Sequence, residues 1–596
     1  MRARYLTVLI VGIFSILVAT SCGGGGASNP PAPAIGMALS ASSLKVLQDG
    51  VTTASVDVTV TRPQGTSRSV DLTAVSLPAG VTAQFDSPGS GNTGKVTFTA
   101  AAQNGTAGTH SVTIRASDGV STGSANVSLT VAIVATVGTS ITGHIDTFMS
   151  TSFQPASWTD DFFLRHPEAT TTLGDLEPQH INVQVLERDI PQLTAATPTS
   201  AGSWDFTYID GIMNPIFTAG DNSPLYQIAM GPSFMYAAPG LFQDTTYQEF
   251  ADYCVKLVKY YNKDGFTDGD GHFHVSASGH PIEYWGIYNE PNINNFSPEE
   301  YVRMYNVVVP AMKSEDPTIK LVAVELSDWG NEPQRYLPAF VSNVAAPVDV
   351  LATHYYSSCN QQDTDQRVLD TIPTFVDHVN YIYSELQSKP ALANVPVWVT
   401  ENNVNADWSD NGTSVCNGTP FHSDPRGSSA FFAAWRPLIF SRLAQAGARA
   451  LHHWGFNADS QFGEVDGGSA QTYLSYWVDY WLARYFPSPL GSDILQVGVS
   501  DSATVEVLAT LRGSDNQYVI MIANHAVHAP TDNNGAGDPR TVLLDVSALG
   551  PITTATQLTI DARTNPVVRP EPQAITPSPQ MEITLPGYGV TFLELK

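Results

Sequence analysis

Two apolar runs that each end in a carboxylate constrain this chain more than any other feature of its 596 residues. Ile282 to Asn292 reads IEYWGIYNEPN, and Val395 to Asn403 reads VPVWVTENN. Each is a β-branched and aromatic stretch that stops at a polar cluster, which is how a buried strand reads when it delivers one ionisable side chain at its C-terminal end. The carboxylates are Glu290 and Glu401.

The sequence around them alternates between strand and helix patterns from about Ser140 to Phe486, which predicts a parallel sheet covered by helices. Eight strands are expected: Ser140 to Thr147, His180 to Leu186, Tyr226 to Gly231, Ile282 to Tyr288, Ile319 to Glu325, Val348 to His354, Val395 to Thr400 and Ala448 to Trp454. Eight strands close a (β/α)8 barrel, whose C-terminal face gathers strand ends that are remote in sequence. Glu290 then ends the fourth strand and Glu401 the seventh. Two carboxylates meeting in one pocket suit glycoside hydrolysis, in which one gives a proton to the leaving oxygen and the other is ionised.

Asn289-Glu290-Pro291 followed by Thr400-Glu401-Asn402 resembles the signature of the glycoside hydrolase clan A barrels. The WGIYNEPN and WVTEN strands, with β patterning after the barrel, look most like family 39. That resemblance implies a retaining mechanism, with Glu290 as acid/base and Glu401 as nucleophile. It further implies that Asn289 binds the sugar 2-hydroxyl, that His354 and Tyr356 contact substrate or nucleophile, and that Trp454 forms an aromatic platform. It also implies an arginine near the end of strand 2 supporting the nucleophile, and Arg188 stands beyond that strand. From their places at strand ends and in loops, His144 and Asp146 are candidate hydroxyl ligands, and Trp329 and Trp408 are candidates for outer subsites. The chemistry needs no metal or other cofactor. Asp264 to Asp270 (DGFTDGD) lacks the spacing of a calcium loop and reads as a turn.

The flanks read as β domains. Residues 35–135 alternate apolar and polar positions between Gly, Pro, Asn and Asp turns, as in an Ig-like β-sandwich serving as a spacer or glycan-binding module. Within it, Gly89 to Lys95 and Gly119 to Gly123 spell a phosphate loop and a nucleophile elbow in the wrong strand context, so both read as hairpin turns. Residues 487–596 read as a C-terminal β-sandwich. The barrel is assigned to 140–486.

The first 22 residues read as a lipoprotein signal peptide: Arg2 and Arg4 precede an apolar run, and Ala19-Thr20-Ser21-Cys22 offers Cys22 for lipidation. Residues 23–34 are then a flexible linker. The mature protein is expected to be exported and tethered to a bacterial envelope, with contact to membrane only through the lipid. A net charge of −28 argues against nucleic acid or anionic lipid as a partner, and the resemblance implies a polysaccharide or oligosaccharide substrate. An exported compartment permits a disulfide between Cys359 and Cys416, while Cys254 falls in a helical pattern as a buried thiol. A surface carbohydrate-binding or adhesion lipoprotein on a degenerate barrel is the competing reading; the intact carboxylate pair speaks against it.

Overall fold

The computed structural model describes residues 34–153, 161–186, 189–195, 202–238, 240–409 and 411–596. Cys22 and Arg188 lie outside them. At its centre eight parallel strands close into a barrel: β1 (Phe148–Phe153), β2 (Asn182–Val185), β3 (Leu225–Ile228), β4 (Tyr284–Ile287), β5 (Lys320–Ser327), β6 (Val350–Ser358), β7 (Val397–Asn405) and β8 (Ala450–Trp454). Almost every position of these strands is buried, as expected when one face fills the barrel and the other packs under helices. Phe148, Leu225, Val322, Val350, Ala352, Trp398 and Ala450 fill the lower interior. Among the helices, Pro298–Glu315 opens on a capping box formed by Ser297 and Glu300.

The first barrel strand is not where the sequence pattern put it. Residues 140–145 belong to a strand that runs unbroken from Thr122 to Ile145, and β1 begins three residues later. The burial explains the shift. Positions 138–144 are mostly exposed, as on the rim of a sheet, whereas FMSTSF is buried throughout. The expected boundary between residues 135 and 140 therefore falls inside one strand.

That strand joins two sandwiches. Its first half pairs antiparallel with Gly108–Ser117 and parallel with Ser43–Leu47, in the N-terminal module. Its second half pairs antiparallel with Ser492–Val499 and parallel with Arg540–Asp545, in the C-terminal sandwich. Each module keeps its own core, with Val56, Val58, Val96, Phe98, Ile114 and Leu129 in one and Ile133, Val137, Ile520, Ile522, Leu544 and Leu593 in the other. Side chains stitch the junction as well: the Asp501 carboxylate accepts the Gly105 and Ala107 amides, and Lys45 pairs with Glu582.

The C-terminal sandwich docks on the barrel through helix Phe432–Gln445. Twelve of its fourteen residues are buried, so it has no wet face. Arg442 and Ser441 on this helix bind Glu506 of the sandwich at 2.7 and 2.6 Å. Cys359 and Cys416 form a disulfide between the loops after β6 and β7, and Cys254 is a buried free thiol.

Candidate active site

Five barrel strands, β2, β3, β4, β6 and β7, present the central groups at the C-terminal mouth. Beyond β4 the backbone keeps contact with β3, Tyr288 and Asn289 donating to the carbonyls of Ile228 and Ala229 at 2.9 and 3.0 Å, and it then turns sharply. Tyr288 and Glu290 both adopt left-handed φ values, 69° and 43°. Such conformations disfavour side chains with a Cβ and persist where the surroundings impose them. Glu290 is brought over the mouth by that turn.

His354, on β6, stands between the two predicted glutamates. Its Nδ1 lies 3.0 Å from Glu290 Oε1 and 3.4 Å from Glu401 Oε1. One carboxylate oxygen of Glu290, one of Glu401 and the imidazole nitrogen all fall within 4.8 Å of one another. Tyr356, two residues along β6, donates its hydroxyl to Glu401 Oε2 at 2.8 Å. Tyr355 points the other way, stacked on Phe375 under the helix layer, as the two-residue period of a strand requires. Asn289 accepts from Gln184 and Gln227 at 3.0 and 2.9 Å, and Gln184 also donates to Glu401 Oε1 at 2.6 Å.

The electrostatics follow from burial and crowding. Glu401 is raised to about 7, first by desolvation and then by the nearby Glu290, while His354 and the Tyr356 hydroxyl pull in the opposite direction. Burial alone would lower His354, yet the surrounding Glu401, Glu290 and Glu325 carboxylates outweigh it and hold the imidazole well above the usual histidine range. Tyr356 is pushed up by burial and by Glu401, so it remains a hydrogen-bond donor.

Five predicted residues therefore gather at one point: Asn289, Glu290, His354, Tyr356 and Glu401. Trp454 closes β8, its ring edge-on to Phe462 and its carbonyl held by Asn403 at 2.7 Å. Trp329 and Trp408 stand 59% and 48% exposed in the loops after β5 and β7. His144 and Asp146 are corrections. Because β1 starts at Phe148, both precede it. His144 faces Asp493 on the sandwich rim, and Asp146 pairs with Arg449 at the N-terminal end of the barrel, opposite the mouth.

Sequence reading missed Gln184, Gln227 and Glu325. The two glutamines were legible as polar residues inside otherwise apolar strand runs, NVQV and LYQI. Glu325 carried the same strand-end signal as Glu290 and Glu401; what the pattern did not carry is the bulge that turns it toward His354. Among the described residues four groups of donor atoms lie close enough together to hold a cation: the Glu290–His354–Glu401 trio, His453–Glu464–Asp479, Asp268–Asp270–His272, and Cys359–Asp407–Cys416, whose sulfurs are taken up by the disulfide. In the first, both imidazole nitrogens already face carboxylates, an arrangement that holds protons. In the second, the Arg436 guanidinium is bound to Asp479 at 2.8 Å and supplies the positive charge.

Residues 247–423 match the family model described as glycosyl hydrolase catalytic core. Among solved structures, the chain is similar to a glucosidase from Croceicoccus marinus, with 14% identity and a TM-score of 0.51, covering 78% of this chain and 99% of that one. It also aligns with a family 44 xyloglucanase from Paenibacillus polymyxa (11% identity, 78% and 99% coverage, TM-score 0.48). A family 44 endoglucanase from Clostridium thermocellum gives 11%, 78% and 100%, and 0.46. Among curated proteins, none matches this sequence. The barrel with its β-sandwich and the catalytic-core match together support a glycosidase.

Proposed function

We propose that the protein is a retaining clan A glycoside hydrolase that cleaves O-glycosidic bonds in a plant or microbial polysaccharide or oligosaccharide. The observation that carries this reading is the approach of Glu290 and Glu401 oxygens to within 4.8 Å. Retention needs carboxyl groups about 5–5.5 Å apart, whereas inversion needs roughly 6.5–9.5 Å to admit a water between them and the sugar. In the first step Glu401 attacks the anomeric carbon, the glycosidic C–O bond breaks, and the Glu290 carboxyl proton passes to the leaving oxygen. In the second step Glu290 takes a proton from water, the hydroxide oxygen bonds to the anomeric carbon, and the Glu401 ester bond breaks. Gln184 and Tyr356 hold the Glu401 carboxylate in line through their hydrogen bonds. Asn289 is held by two glutamines and directs its amide nitrogen to the sugar 2-hydroxyl. Trp454 supplies a stacking face for the ring.

The two motifs favour family 39, with β-xylosidase-like or endo-glycanase action. Export and lipidation at Cys22 complete the proposal; incorporation of labelled palmitate that is lost in Cys22→Ser tests that part. The catalytic part is tested with a panel of aryl glycosides and polysaccharides, reading the anomer released by NMR. A retained configuration, with Glu401→Gln inactive and Glu290→Gln active only on good leaving groups, supports it. Inverted product sinks it.

A further inference from the structure

A third carboxylate reaches the same imidazole from behind. Glu325, on β5, is fully buried, and its Oε2 lies 3.2 Å from His354 Nε2. The Thr400 hydroxyl donates to the same oxygen. Nothing in ordinary strand geometry would aim it there. β5 pairs with β6 as Ala323 to Leu351 and then as Leu326 to Thr353, so one extra residue is accommodated between them. Val324 and Glu325 absorb it at φ values of 77° and 46°. A β-branched residue in the left-handed region is a costly conformation, and bulges of this kind re-aim side chains next to functional sites.

A neighbouring helix and strand are shaped to accept the bulge. Tyr301 donates its hydroxyl to the Ile287 carbonyl on β4 and accepts the Val324 amide at 2.8 Å, pinning the distortion. Gly286 leaves room for the carboxylate: a Cβ there would meet Glu325 Oε1 at 3.0 Å. The Glu325 carbonyl accepts the Glu290 amide at 3.0 Å. One residue thus holds the predicted acid/base through its backbone and His354 through its side chain.

We propose that Glu325 is a positioning residue that fixes both the orientation and the doubly protonated form of His354, so that this imidazolium can serve Glu290 and Glu401 in turn. The inference rests on the retaining reading. As that reaction proceeds, negative charge leaves Glu401, appears on Glu290, and returns. His354 Nδ1 is close to both oxygens, so its N–H donates to whichever glutamate is charged. It can do so only if Nδ1 is protonated at every stage. Glu325 secures the other nitrogen, because an unprotonated Nε2 would set its lone pair against a carboxylate oxygen. The ionisable groups facing the imidazole are Glu290 from β4, Glu325 from β5 and Glu401 from β7, with Tyr356 beside it on β6.

The test is Glu325→Gln, which keeps the shape and removes the charge. The basic limb of the kcat/KM pH profile should move toward acid by roughly one unit, because His354 then gives up its second proton, and with it the charge that serves the glutamates, at lower pH. At pH 7, kcat should fall on the order of 10–100-fold with KM little changed. A merely structural role would give the same loss at every pH and leave both limbs in place, which overturns the proposal. A second measurement needs no turnover and so separates this inference from the glycosidase reading. In 15N-histidine NMR, with His354 assigned through His354→Gln, the ring should keep both protons well above the ordinary histidine value of about 6.5. In Glu325→Gln it should lose one near that value. Should the variant not fold, the wild-type titration decides: deprotonation of His354 in the ordinary range sinks the proposal even if the enzyme proves to be a retaining glycosidase.

Discussion

His354 and His452 lie in the same barrel, both buried, and the protein has made opposite uses of them. His452, on β8, sits low in the barrel beside Phe148 and Trp398 and faces the backbone carbonyls of Val399 and His180. Desolvation pushes it down to about 4, so it is neutral. His354 loses as much water but is ringed by three carboxylates and is held charged. Burial by itself therefore makes a histidine inert; burial among acids makes it a fixed cation. The floor of the barrel uses the ring as packing, and the mouth uses it as charge.

The comparison is broken most severely at the mouth. Glu401→Gln should lower kcat by about 10⁴-fold or more, since the covalent step has no other nucleophile, measured on the substrate that wild type cleaves best. Next comes His354→Gln, expected to cost on the order of 10²–10⁴-fold in kcat at neutral pH with substrate binding largely kept. His452→Gln should leave the pH profile of kcat/KM where it was; a shift there would show that floor and mouth are not separable.

In wild type the acid limb of kcat/KM should fall near 7, well above an ordinary glutamate, because Glu401 must be ionised to attack and its environment resists that. A limb at about 4.5 would mean that the mouth is wetter than its geometry shows.

The smallest effect concerns stability. A histidine lowered on folding favours the unfolded chain as pH falls from its unfolded value toward its folded one, here from about 6.5 to about 4. His452 should therefore make the fold acid-sensitive by up to roughly 3 kcal/mol over that window. His354 has the opposite sign: it stabilises below its unfolded value, and that contribution is lost as pH rises through its raised folded value. Denaturant titrations of His452→Gln between those pH values should show a shallower acid decline than wild type.

The barrel was legible because its strands are buried on both faces and stand out as apolar runs. The glutamates were legible because each interrupts such a run. The sequence pattern failed where a strand belonged to something else: SITGHI alternates well enough to be a barrel strand, and only pairing with Ser492–Val499 reveals its actual sheet. That single error carried His144 and Asp146 to the wrong end of the molecule. Glu325 was hidden for a different reason. A bulge is set by what the neighbouring elements impose, here Tyr301 on the helix after β4 and Gly286 on β4, and neither advertises it locally.

The strand from Thr122 to Ile145 is also a mechanical element. At about 3.3 Å per residue its 24 residues run for nearly 80 Å of continuous backbone, hydrogen-bonded in one sandwich and then the other. Two register shifts bend it where it pairs with Ser492–Val499, but the backbone pairing carries through both sandwiches. The N-terminal module is thus a bracket built onto the C-terminal sandwich and not a bead strung on a linker.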